Sequence, residues 1–156
     1  MAQKKIKNFL GRNLSRVRSA DRLSGEARSN LMSKIRSKNT MFECDFIEAL
    51  SKRTRLKFSV NDKSIRGKPD IVFSKRKVCV FLDSDFWHGW QYPRWKHLLK
   101  DDFWRDKIKK NRKRDRRNTT FLRKKGWVVV RIWEHSIKLD LPKCIQEVLD
   151  KLKWFY

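Results

Sequence analysis

Two short apolar runs joined by a basic turn constrain this chain more than any other feature. Asp70-Ile-Val-Phe73 and Val78-Cys-Val-Phe-Leu82 are almost unbroken in hydrophobic side chains, and Ser74-Lys-Arg-Lys77 connects them. Runs this short, rich in β-branched and aromatic residues, suit strands better than helices. A strand that is apolar at every position is buried on both faces, as in a sheet covered by helices. An α/β fold follows, and the rest of the chain must supply the covering helices.

The flanking pattern does so. Within residues 41–53, Glu43, Phe46, Ile47 and Leu50 fall at i, i+3, i+4 and i+7, one helical stripe that carries a carboxylate inward. Leu56-Lys-Phe58-Ser-Val60 alternates as a strand, and Asn61 to Pro69 is a loop of turn formers. Residues 102–125 compose a long helix stopped by Gly126. Its inward stripe reads Trp104, Ile108, Asn111, Asp115, Asn118, Leu122, so a carboxylate and two amides stand where Leu is usual. Buried polar groups of that kind need partners. Trp127-Val-Val-Val-Arg-Ile-Trp133 is a further strand, and Asp140-Leu-Pro142 opens a C-terminal helix bearing Ile145, Val148, Leu149 and Leu152. The expected fold is a mixed β-sheet flanked by helices.

Charge narrows the partner. Among 156 residues, 41 Lys+Arg against 17 Asp+Glu leave a net +24, which calls for an acidic polymer. Residues 1–28 hold eight cations, Arg12, Arg16 and Arg18 among them, without an apolar period, and read as a basic DNA-binding arm preceding a domain over 29–156. Twelve cations lie between Arg105 and Lys125. Aromatics accompany them: Phe86, Trp87, Trp90, Tyr92, Trp95, Phe103 and Trp104 occupy a polar, basic stretch, a mixture suited to stacking on bases while cations hold phosphates. No run approaches the ~20 apolar residues of a membrane helix, and the N-terminus lacks the apolar stretch of a secretory signal. A cytoplasmic, nucleoid-associated protein is expected, with a monomer favoured. Cys44, Cys79 and Cys144 are isolated from one another and read as reduced structural thiols.

Asp70 begins one buried strand and Asp83 ends the next, so a hairpin brings them together. With Glu43 and Asp115 presented inward from helices, they form an oxygen-rich pocket suited to Mg²⁺. His88, five residues beyond Asp83, can move a proton near neutral pH.

The ordered series Ser29-Asn-Leu-Met-Ser-Lys-Ile-Arg-Ser-Lys-Asn-Thr40, Glu43, Gly-Lys-Pro-Asp70, Val-Phe-Leu-Asp-Ser-Asp-Phe-Trp-His88, Phe103-Trp104, Arg114-Asp115-Arg-Arg117, Gly126-Trp-Val and Ile132-Trp-Glu134 resembles the very-short-patch-repair (Vsr) DNA mismatch endonucleases. The likeness runs from about Ser29 to His135. It implies a restriction-endonuclease-like fold of the PD-(D/E)xK superfamily and Mg²⁺-dependent nicking of double-stranded DNA beside T:G mismatches. By the same resemblance Asp70 is the principal metal ligand, and Asp83 touches metal through its carbonyl or carboxylate. Glu43 holds metal-bound water, His88 is the acid/base, and Asp115 is a further active-site acid. Phe86, Trp87 and Trp104 match aromatics that wedge into the duplex. Lys107, Asn111, Arg114 and Arg117 belong to the DNA-binding helix of the matched series, and the basic N-terminal segment to an embracing arm.

The chain departs from the family pattern in three places, at one of which Ser84 stands where some of the mismatch enzymes carry a His. The acidic-x-Lys tripeptide of the superfamily reads Asp83-Ser84-Asp85, without Lys. Asp85, Trp90 and His135 stand where zinc ligands are expected, so no structural zinc is anticipated. The Glu, Asp, His, Asp order also occurs in Vsr-like EDxHD homing endonucleases. Cutting of matched target DNA by a homing or restriction-type enzyme therefore stays open, as does a catalytically silent DNA-binding module.

Overall fold

The computed structural model describes residues 40–99 and 102–153. The expected arm over 1–28, with Arg12, Arg16 and Arg18, lies outside the described residues, and so does its boundary with the domain. The described chain falls into two compact units: residues 40–90 with 107–153, and Gln91–Asp106.

In the first unit, helix α1 spans Met41–Arg53 and buries Phe42, Glu43, Phe46 and Leu50; of the expected stripe, Ile47 is only half-buried, and Phe42 joins the buried face in addition. It starts where the Thr40 N–H donates to Glu43 Oε2 at 3.3 Å, which satisfies one of the orphan donors at a helix N-terminus. Strands β1 (Ser59–Val60), β2 (Ile71–Phe73), β3 (Val78–Asp83) and β4 (Val128–Trp133) form a sheet in that order. β1–β2 and β2–β3 pair antiparallel and β3–β4 parallel. The sheet is therefore mixed, and β2 and β3 are buried at every position.

β1 is shorter than the alternation over Leu56 to Val60 suggested. Leu56 and Val60 are exposed, and Phe58 alone of the three apolar residues packs inward, its ring 5.2 Å from that of Phe73. One anchored side chain holds two residues of edge strand and no more.

Period-two alternation divides the sheet between two cores. Ile71, Phe73, Val78, Val80, Leu82, Val130 and Ile132 share one cluster with Phe42, Phe46 and Leu50 of α1 and with residues of two C-terminal helices, α4 (Glu134–Leu139) and α5 (Leu141–Lys153). α5 was expected, and Asp140 Oδ1 accepts from the Lys143 N–H at its start, 3.0 Å. α4, one and a half turns with only Ile137 buried, was not. The opposite face carries a smaller cluster of Val72, Cys79, Phe81, Val129 and Leu122.

Leu122 comes from α3, Asp102–Lys124, whose residues from 107 onward belong to this unit. α3 ends in a Schellman pair, with the Trp127 N–H on the Leu122 carbonyl and the Gly126 N–H on that of Arg123, both 3.0 Å. Gly126, at φ +78°, takes the left-handed conformation that this ending requires. Gly67 is needed for a different reason. At φ +88° it also lets the 61–69 loop approach α3 so closely that a Cβ would meet the Asn118 amide nitrogen at 3.1 Å and the Phe81 ring at 3.3 Å.

All three cysteines are free, as expected, but only Cys79 and Cys144 are buried; Cys44 is exposed on α1 and has no place in the core. Burial pushes the Cys79 thiol up to about 12 against the opposing charge of Arg131, so it is an inert core group.

In the second unit, α2 (Tyr92–Trp95) follows Gln91 at φ +52° and buries both its aromatic rings, which meet edge to face at 5.3 Å. The Tyr92 hydroxyl donates to the Arg105 carbonyl at 3.3 Å. Phe103 and Trp104 open α3 with rings edge to face at 5.2 Å. No helix among the described residues is long and apolar enough to cross a membrane.

Candidate active site

The smaller face of the sheet positions the chemistry. Asp70 has the parity of Val72, Asp83 that of Phe81, and Arg131 that of Val129, so all three carry their side chains to the α3 side. α3 brings Asp115 to the same place. A sheet face capped by one strongly polar helix thus ends in a pocket of charges.

Antiparallel pairing of β2 with β3 sets Ile71 opposite Val80. Asp70 lies one step before, its N–H donating to the Val80 carbonyl at 3.0 Å. Its Oδ2 accepts from the Leu82 N–H at 2.7 Å, which holds this carboxylate beside the end of β3. Burial pushes the Asp70 carboxyl up to about 6, against the Leu82 hydrogen bond; the charges of Glu43 and Asp83 push the same way and His88 opposes them. Glu43 therefore lies within electrostatic reach of Asp70 although α1 belongs to the opposite layer.

His88 is held by the turn after β3, where its N–H donates to the Ser84 carbonyl at 3.1 Å. Its Nδ1 lies 2.7 Å from Asp115 Oδ2 and 3.3 Å from Asp83 Oδ1. Although burial works against it, the Asp115 carboxyl is held below its usual range by the His88 hydrogen bond and charge and by Arg131 and Arg114. α3 also fastens the turn itself: the Asn111 amide donates to the Trp87 carbonyl at 3.0 Å, and Arg112 Nη1 to that of Gly89 at 2.9 Å. Asp83, His88 and Asp115, scattered along the sequence, thus meet directly, with Asp70 and Glu43 within electrostatic reach.

A sixth side chain at the centre went unnoticed in the sequence. Arg131, in the middle of β4, donates from Nε and Nη2 to the two oxygens of Asp83 at 2.6 Å each. Both Asp83 carboxylate oxygens are thereby engaged. A cation in the apolar run Trp127 to Trp133 was the available signal, since a buried strand position accepts Arg only opposite an acid.

Among the residues expected on DNA, Phe86 and Trp87 lie half-buried with rings edge to face at 5.0 Å, and Lys107 Nζ sits 5.8 Å from the Trp87 ring centre. Arg114 and Arg117 are exposed on α3. The amide of Asn111 is committed to the Trp87 carbonyl. Trp104 is half-buried in the Gln91–Asp106 unit.

At the positions of the expected zinc ligands, His135 Nδ1 and Asp85 Oδ1 are 2.6 Å apart, and the Trp90 ring lies 4.4 Å from that of His135. Among the described residues, no set of three or more His, Cys, Asp or Glu is grouped to hold a metal ion.

A mixed sheet between helices, with acids gathered at the end of a central hairpin, defines a restriction-endonuclease-like protein. The sequence comparisons specify which. The family model described as DNA mismatch endonuclease Vsr matches residues 20–94. A type II nicking enzyme of Neisseria meningitidis serogroup C is 37% identical over 130 residues, 82% of this chain and 87% of that protein. One from Haemophilus parainfluenzae is 33% identical over 141 residues, 81% of this chain and 96% of that protein. The DNA mismatch endonuclease Vsr of Escherichia coli K12 is 33% identical over 112 residues, 71% of each chain. This chain belongs to the Vsr family and is a DNA endonuclease.

Proposed function

We propose that the protein nicks one strand of double-stranded DNA beside a T:G mismatch in a Mg²⁺-dependent hydrolysis. The observation that carries this reading is a histidine held at one ring nitrogen by a carboxylate, His88 Nδ1 to Asp115 Oδ2 at 2.7 Å, next to the charge-crowded Asp70. Nicking rather than double-strand cutting is favoured by the relatives described as type II nicking enzymes, and mismatch substrates by the relative described as a mismatch endonuclease.

With its Nδ1–H donated to Asp115, the His88 ring offers Nε2 as a proton acceptor. That nitrogen takes a proton from the attacking water, and Asp115 stabilises the imidazolium that results. Asp70, raised to about 6 by burial with Glu43 and Asp83 adding to the crowding, is a carboxylate that a bound cation relieves. Mg²⁺ is ordinarily held by one or two carboxylates together with water and substrate phosphate oxygens, which matches a donor set of the Asp70 carboxylate and the Asp83 carbonyl. The Asp83 carboxylate is taken by Arg131. When bound, the ion supplies charge neutralisation for the phosphodiester in its transition state. Glu43 orders the water, while Lys107, Arg114 and Arg117 follow the phosphates. Phe86, Trp87 and Trp104 stack against the bases, and the arm carrying Arg12, Arg16 and Arg18 embraces the duplex.

Matched and T:G-containing duplexes, labelled separately on each strand and incubated with or without Mg²⁺, test this. A single nick on one strand of the mismatched duplex, dependent on the ion, is expected. Equal nicking of both duplexes removes the mismatch specificity. Staggered double-strand cuts in matched DNA indicate a homing or restriction-type enzyme.

A further inference from the structure

We infer that Arg131 is a positioning residue of this site, acting through Asp83 to decide which of two carboxylates holds the His88 ring. The inference rests on the reading of His88 as the proton-accepting group.

His88 Nδ1 faces two anions, Asp115 Oδ2 at 2.7 Å and Asp83 Oδ1 at 3.3 Å. Asp83 is almost completely buried, and a bare carboxylate there would compete strongly for any donor within reach. Arg131 removes the competition. Its Nε and Nη2 meet Asp83 Oδ2 and Oδ1 at 2.6 Å each, the paired geometry in which a guanidinium binds a carboxylate most firmly. Asp83 Oδ1, already accepting a short charged hydrogen bond, is left a poorer acceptor than Asp115 Oδ2. The ring proton goes to Asp115, and Nε2 carries the lone pair.

The guanidinium is itself braced. Nη1 donates to Thr119 Oγ1 at 3.3 Å, and its carbon lies 4.9 Å over the Phe81 ring. The β3–β4 register sets Phe81 opposite Arg131, so Asp83, two residues further along β3, is what the side chain reaches on the same face. Nη2 is also 3.5 Å from Asp115 Oδ2 and from His88 Nδ1. With three of its hydrogen-bonding directions spent on protein groups, Arg131 acts on the reaction through Asp83. The Asp83-Ser84-Asp85 tripeptide has no Lys to place a cation here, and the neighbouring strand supplies one instead.

The test combines nicking kinetics with NMR detection of the His88 Nδ1–H proton at one fixed pH, in protein without DNA or metal, for wild type, Arg131→Gln, Arg131→Lys, Asp83→Asn and the double variant Asp83→Asn/Arg131→Gln. A hydrogen-bonded Nδ1–H resonance, assigned by its loss in His88→Gln, is expected in the wild type. Arg131→Gln is expected to shift it, as the Nδ1–H turns from Asp115 to the unpaired Asp83, and to lower the single-turnover rate at least about tenfold with DNA affinity within about twofold. Arg131→Lys should recover part of both. In the Asp83→Asn background the competing anion is gone, so Arg131→Gln should leave the resonance in place and change the rate less than about twofold. Should Arg131→Gln unfold the protein, the double variant still reports, because it leaves no buried anion unpaired. An unchanged resonance in Arg131→Gln, or an equal rate loss from Arg131→Gln in both backgrounds, overturns the inference. Full activity of His88→Gln with the resonance behaving as expected would instead defeat the assignment of His88 as base and leave the positioning by Arg131 intact.

Discussion

His88 and Asp115 stand 27 residues apart in the chain and 2.7 Å apart in space. The turn after β3 supplies one and the middle of α3 the other, and the Asn111 and Arg112 hydrogen bonds to that turn fix the distance between them. If this pair moves the proton, Asp115→Asn should lower the nicking rate roughly 10²–10⁴-fold, because an amide no longer enforces one ring tautomer or stabilises an imidazolium. The double variant with His88→Ala should be little slower than His88→Ala alone, since residues acting as a unit are not additive. Single-turnover assays on an intact T:G duplex labelled on one strand measure both. Additive losses would mean that the two act separately.

The Asp70 carboxyl sits where ionising it costs stability. It is raised from 3.8 to about 6, so the folded state holds the proton more tightly than the unfolded one. The ionised form therefore costs stability, a cost that grows as pH rises through this window and stays above it. Asp70→Asn should abolish nicking yet raise stability at pH 7.5 by up to about 3 kcal/mol, at 1.36 kcal/mol per pH unit between the two values. The gain should shrink below pH 6 and vanish near 4. Mg²⁺ should raise the melting temperature of the wild type and not of the variant. Denaturant melts across pH check each part, and a variant less stable than the wild type at pH 7.5 would show the carboxylate to be structural.

How far the sequence revealed this arrangement depended on the range of the interactions. The extent of α1 was legible because it is local: a stripe at helical spacing with Glu43 in its first turn. The burial of β2 and β3 was legible from their continuous apolar character. Asp70, Asp83, His88 and Asp115 were marked by being acids or a histidine at strand ends and on an inward stripe. Arg131 was not, because its partner is 48 residues away and only the parallel β3–β4 pairing brings the two together. Asn111 was placed on the DNA-binding helix by its match to the family series. The partner of its amide is the Trp87 carbonyl. α4, six residues with a single buried side chain, has too little period to read.

The exposed cations of α3 carry the next expectation. Lys113, Arg116 and Arg117 are exposed to solvent. If they neutralise phosphates, changing all three to Gln should make the slope of log affinity against log salt shallower by up to about 0.9 for each. The rate from saturated complex should be unchanged, since none of them touches the pocket. A salt slope equal to that of the wild type would move the DNA to another face.

The Asp85–His135 contact bears on zinc. Two atoms sharing a tetrahedral zinc, each about 2.0–2.1 Å from it, stand roughly 3.3 Å apart. Asp85 Oδ1 and His135 Nδ1 are 2.6 Å apart, the distance of a direct hydrogen bond with no room for an ion between them. Trp90 packs its ring at 4.4 Å from the same histidine. This pair ties the turn carrying His88 to the start of α4; if it replaces a zinc site, prolonged chelation should leave the melting temperature unchanged and elemental analysis should find no stoichiometric zinc. Asp85→Ala, which strips His135 of its acceptor, should cost about 1–3 kcal/mol. The gain from the contact also has a pH sense. Burial raises the Asp85 carboxyl despite the opposing His135 hydrogen bond, so ionising it costs stability as pH rises through its folded value. Asp85→Asn should therefore be tolerated better than Asp85→Ala at neutral pH. A melting temperature that falls on chelation, with one zinc per chain beforehand, would overturn the metal-free account.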